Sequence, residues 1–106
     1  MIVRQLREAE ADLYDAAARY EDDEPGLGIR FLTAVDAGVD QLRRHPESAE
    51  SWPIPLRTTH SVRHLLVDGF PFYIVYVLTN DLLWIVAVAH TSQRPGYWAG
   101  RMHQVP

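Results

Sequence analysis

Residues 72–90 read FYIVYVLT, then Asn80-Asp81, then LLWIVAVAH. Two runs of strand length joined by a two-residue polar turn form a β-hairpin, and Asn-Asp suits the tight connection. Both runs are apolar on alternate and on intervening positions, so neither face of the hairpin suits water. With strict alternation, Phe72, Ile74, Tyr76 and Leu78 share one face, and Tyr73, Val75 and Val77 share the other. On the same rule Trp84, Val86, Val88 and His90 lie together, opposite Leu83, Ile85, Ala87 and Ala89. A chain containing this hairpin therefore presents two apolar sheet faces.

The remaining segments supply material for one layer. IVRQL (2–6) alternates like a short edge strand. From Glu8 to Asp22, apolar residues Ala9, Leu13, Ala16, Ala17 and Tyr20 recur at helical spacing. The acidic run EDDEPG (21–26) ends that helix, because Pro25 cannot continue it and Gly26 suits a turn. A second helix spans 27–44, with Phe31, Val35, Val39 and Leu42 as its stripe and Arg43 and Arg44 favourable at its C-terminal end. A loop rich in Pro and Ser follows (45–55), with Trp52 expected to fold back onto the core. VRHLLV (62–67) then leads through DGFP into the hairpin. The fold class expected is α+β: a short N-terminal strand, a helical hairpin, and a three-stranded antiparallel meander. Residues 1–106 suit a single domain.

Two helices cover one face of such a sheet. The other face must be wet, covered by the loop and C-terminal tail, or covered by a partner, which suggests a binding module. No stretch is long and apolar enough to span a membrane, and no signal peptide is visible, so a cytoplasmic location is expected. Cysteine is absent, which excludes disulfide and thiolate chemistry. The net charge is −4, with −6 carried by residues 1–50 and +2 by residues 51–106. All ten basic residues are arginine. An acidic chain is a poor binder of nucleic acid through bulk electrostatics.

Few residues carry recognisable chemistry. His60 and His64 would sit about 13 Å apart on a strand, too far for one metal ion. His90 and Ser92 lack an orienting acid for hydrolysis. The acidic run reads as a solvated inter-helix loop. Arg63 opens an otherwise apolar strand near a sheet rim. Its two readings are an ion pair with Asp12 or Asp15, and an anion contact alongside His90 and Arg94. A His, two Arg and a Tyr are the polar set that acid–base work on a phosphodiester requires.

Taken together, EAEADLYDAAARYE, PGLGIRFL, LRRHP, VRHLL, FPFYIVYVL and IVAVAHTSQRPGYWAGR resemble the RelE/ParE family of type II toxin–antitoxin toxins, over nearly the whole chain. The resemblance implies a small bacterial cytoplasmic toxin, without cofactor or metal. A cognate antitoxin, whose C-terminal segment wraps along helices and sheet, would hold it inactive and cover the exposed apolar surface. RelE-like members cleave mRNA on the ribosome, whereas ParE-like members inhibit DNA gyrase. By position Arg63, His90, Arg94 and Tyr97 match the region of RelE-like catalytic side chains. The absence of lysine and the acidic charge favour the ParE-like side, with gyrase as target. A ribosome-dependent endoribonuclease and a non-toxic accessory homologue are the alternatives, and a homodimer stays open. Trp98 is expected to pack over the core.

Overall fold

The computed structural model describes residues 1–106. Strand β1 (Ile2–Gln5) leads into helix α1 (Arg7–Asp23) and helix α2 (Leu27–Arg44). Strands β2 (Glu50–Ser51), β3 (Val62–Leu66), β4 (Phe72–Thr79) and β5 (Leu82–His90) follow, and a 3₁₀ helix (Tyr97–Gln104) closes the chain. The strands form one mixed sheet in the order β1-β5-β4-β3-β2. β1 runs parallel to β5 and every other pair is antiparallel. The apolar hairpin thus sits at the centre of the sheet, where both of its faces can be buried.

Local chemistry accounts for most boundaries. Asn80 adopts φ 40° in the tight turn, a left-handed conformation that asparagine tolerates. Gly26 takes φ 89° at the start of α2, where a side chain would be strained. The acidic run is more than a solvated loop. The Glu21 carboxylate accepts hydrogen bonds from the backbone N–H groups of Gly26 and Gly28. It therefore satisfies free donors at the N-terminus of α2 and places negative charge on the positive end of that helix. Glu24 pairs with Arg30. The first helix turn of α2 is held by the last turn of α1.

The helices cover one face. Phe31 and Tyr20 pack against Phe72 at ring-centroid distances of 4.9 and 6.0 Å. Gly38 lets α2 approach Ile74 closely. Strict alternation fails in β5. Tyr76 pairs with Ile85 but Val75 pairs with Ala87, so Val86 is an extra residue, a β-bulge. Beyond it the faces are exchanged. Val88 and His90 oppose Ile74 and Phe72 and lie on the helix face with Leu83 and Ile85, whereas Ala87 and Ala89 join Trp84 on the second face. The sequence-based facial assignment of β5 is therefore corrected past Val86.

The second face is covered by the chain itself. Trp98 is 1% exposed, and Met102 and Val105 are also buried, in one cluster with Val75, Val77, Ala87 and Ala89. Trp52 lies against Trp98 at 5.1 Å. The loop-and-tail alternative is realised, so this face does not require a partner to leave water. β2 falls inside the segment expected to be loop. Its two residues pair with His64 and Arg63, and two residues between prolines carry no readable alternation.

Candidate functional site

The end of β5 and the segment after it carry three of the four candidate residues, and β3 carries the fourth. The chain leaves the sheet at His90. Gly96, at φ 77°, then turns it into the 3₁₀ helix that lies on the second face. Arg94 and Tyr97 line a cavity of about 250 Å³ on that side, with Trp52, His64 and Trp98 among its walls, and His90 borders it from the end of β5 while its ring stays on the helix face. The sequence brings these three together because the tail folds back over the strand that it has just left.

Each has a different role in the local structure. The His90 ring packs against Phe72 at 5.0 Å, on the helix side. Its Nδ1 accepts hydrogen bonds from the Ser92 backbone N–H at 3.0 Å and, at 2.7 Å, pairs with the Ser92 hydroxyl. The imidazole thereby ties the turn that ends β5. Arg94 is exposed. Tyr97 is half-buried and lies beneath Arg101, whose guanidinium carbon is 5.5 Å from the ring centroid. Burial, with a further contribution from the negative charge of Asp12, holds the Tyr97 phenol above its ordinary range and keeps it neutral near pH 7.

Arg63 does not join them. It pairs across β3 and β4 with Tyr76, while His90 pairs with Phe72. Four residues along β4 separate these points by about 13 Å. Its guanidinium donates to the carbonyls of Ala49 at 2.8 Å and Glu47 at 3.3 Å. Tyr76 donates its hydroxyl to Pro46 O at 2.7 Å. Together they fasten the segment that leaves α2. The ion pair with Asp12 expected for Arg63 belongs instead to Arg101.

No local pattern in the sequence points to that pair. Arg101 Nη1 and Nη2 donate to Asp12 Oδ2 and Oδ1 at 2.7 and 3.2 Å. Burial opposes the Arg101 charge, yet its hydrogen bond to Asp12 and that residue's charge outweigh it and raise its pKa. The aromatic wall of Trp52, His64, Tyr73 and Trp98 was equally hidden, although Trp52 and Trp98 were each expected to pack on the core. No local spacing connects residues from a loop, two strands and the tail.

The sequence of residues 3–95 matches the family model described as the ParE toxin of the type II toxin–antitoxin system parDE. The chain belongs to the ParE toxin family. A solved structure described as a chromosomal ParDE toxin–antitoxin system from P. aeruginosa shares the fold of this ParE-family chain, with a TM-score of 0.60 at 20% identity. The match covers 87% of this chain and 97% of the other. No curated protein matches it. The family match stops at residue 95, within the segment that leaves β5, so the tail carrying Tyr97, Trp98 and Arg101 lies beyond it. No helix of this ParE-family chain is long and apolar enough to cross a membrane.

Proposed function

We propose that this ParE-family chain arrests growth by binding DNA gyrase in the bacterial cytoplasm, and that a cognate antitoxin neutralises it. The single observation that carries the reading is the ParE family match over residues 3–95. The site geometry supports binding over cleavage. Arg63 is occupied in fastening backbone carbonyls, Tyr97 is held neutral, and Arg101 is committed to Asp12. The Nδ1 of His90 is occupied by the Ser92 turn. Metal-independent phosphodiester cleavage needs a proton acceptor and charge donors aimed at one reacting centre. The engagement of Arg63 and of the His90 Nδ1 inside the fold supports binding over cleavage.

Controlled expression of the chain alone should stop growth, and co-expression of an adjacent antitoxin gene should restore it. Purified protein should block gyrase supercoiling while leaving ribosome-bound mRNA intact. Soluble accumulation without growth arrest, together with unimpaired supercoiling, would overturn the reading. Cleavage of mRNA that Arg94→Ala abolishes would establish the endoribonuclease alternative, for which the cavity lined by Arg94 and Tyr97 is the supporting feature.

A further inference from the structure

The cavity on the second face has a composition that the toxin reading leaves unused. Aromatic rings dominate its walls. Trp52 meets His64 and Trp98 edge to face at 5.2 and 5.1 Å, and His64 meets Tyr73 at 5.0 Å. Its lining contains no Asp or Glu, in a chain with 14 of them. Arg94 is its one guanidinium, and that side chain makes no ion pair or hydrogen bond within the protein. Two buried polar atoms of the aromatic wall, Trp52 Nε1 and His64 Nδ1, have no partner, as is also true of Trp84 Nε1 outside the cavity. Buried polar atoms normally find one.

We infer that this cavity binds a small planar aromatic anion, its ring against the aromatic wall and its phosphate or carboxylate on Arg94. Flat π-surfaces stack on aromatic side chains with little dependence on ring identity. Arg supplies a planar fork matched to either anion. The volume of about 250 Å³ falls just below the range of about 300–1,000 Å³ for pockets that hold drug-sized ligands. One or two rings with one anionic group therefore fit better than an extended chain. A polynucleotide is also disfavoured by the acidic net charge. Nucleoside 5′-monophosphates and aryl carboxylates share the required chemistry. The inference is independent of the gyrase reading, because binding is measured on the chain alone.

The three tryptophans provide the readout. Trp52 and Trp98 line the cavity and Trp84 does not, so their indole N–H resonances report binding with an internal control. The protein is titrated with AMP, UMP, indole-3-acetate, uridine and inorganic phosphate. The expected result is a saturable shift of the Trp52 and Trp98 signals with at least one ring-bearing anion, and an unmoved Trp84 signal. Removing the charge-assisted contact should weaken that binding by about tenfold to a hundredfold. The loss should follow Arg94→Ala, an exposed change that leaves the spectrum of the free protein dispersed. For a nucleotide ligand, the neutral nucleoside should show the same loss. Tighter binding of the monophosphates or of indole-3-acetate identifies which source the site prefers. Absence of any saturable shift, equal response to phosphate alone, a parallel shift of Trp84, or indifference to Arg94→Ala would each overturn the inference.

Discussion

Asp12 and Arg101, 89 positions apart in the chain, meet where β1 stops and cover the next step of the β5 edge. The last contact from the β1 side is the Leu6 N–H bonded to Ile85 O. Beyond it, Arg101 donates to Val86 O at 3.1 Å, and Asp12 Oδ2 accepts from the Val88 N–H at 3.1 Å. Two side chains thus continue, for one step, the ladder that a longer β1 would have made. They also staple α1, β5 and the tail together, and each is less than one-fifth exposed.

Breaking this staple one-sidedly should be costly. Asp12→Ala leaves a largely buried guanidinium without its counter-ion and the Val88 N–H without a partner, a loss of about 2–4 kcal/mol. Replacing both residues by Asp12→Leu and Arg101→Met should cost less than the sum of the single changes. Urea denaturation of the two single variants and the double variant closes the cycle; additive losses would show that the pair is not coupled.

Gly28→Ala sets helix propensity against packing. Alanine gains up to about 1 kcal/mol in a helix interior. Its methyl group, however, would stand 2.7 Å from the Ala17 carbonyl oxygen, a backbone atom of α1 that cannot rotate away. Overpacking of this kind costs about 1–3 kcal/mol, so net destabilisation is expected. A raised thermal midpoint would show that the hairpin spreads freely.

Trp98→Ala should cost about 3–5 kcal/mol, because the ring is buried under the tail and a cavity would remain. The same change should expose Val75 and Ala89 and increase binding of a hydrophobic dye. Unchanged stability would mean that the tail contributes nothing to closing the second face.

Tyr97 predicts an alkaline limit. Its folded pKa is raised, by burial first and by Asp12 second, so the folded state holds the phenolic proton more tightly than the unfolded chain does. The associated stability is complete below the unfolded value, about 10. It falls as pH rises from there through the folded value. Tyr76 and Tyr20 shift in the same direction, both mainly through burial. Urea midpoints should therefore drop above about pH 10, and Tyr97→Phe should flatten part of that drop. An unchanged slope would remove Tyr97 from the account.

Arg63→Ala separates fastening from chemistry. Losing its bonds to Ala49 O and Glu47 O should lower stability by about 1–2 kcal/mol. Supercoiling inhibition by the folded variant should stay intact, measured at a temperature below its midpoint. Lost inhibition in a folded variant would give Arg63 a direct part in target binding.

The amino-acid sequence by itself determined the two helices and the four longer strands: period-2 and period-3.6 patterns, Pro25, Gly26 and the Asn80 turn act within a few residues, so their physics is local. It also determined that both faces of the central hairpin are apolar. Tertiary structure alone decided what buries them, which side His90 takes, and which arginine Asp12 meets. The bulge at Val86 is a property of two paired strands and reverses the facial pattern without any mark in β5 itself. Asp12 has several arginines within reach of a flexible chain, and only the folded tail brings Arg101 to it. The candidate site followed the same division: His90, Arg94 and Tyr97 come together through a local turn, whereas Arg63 is held apart by the register of β3 on β4.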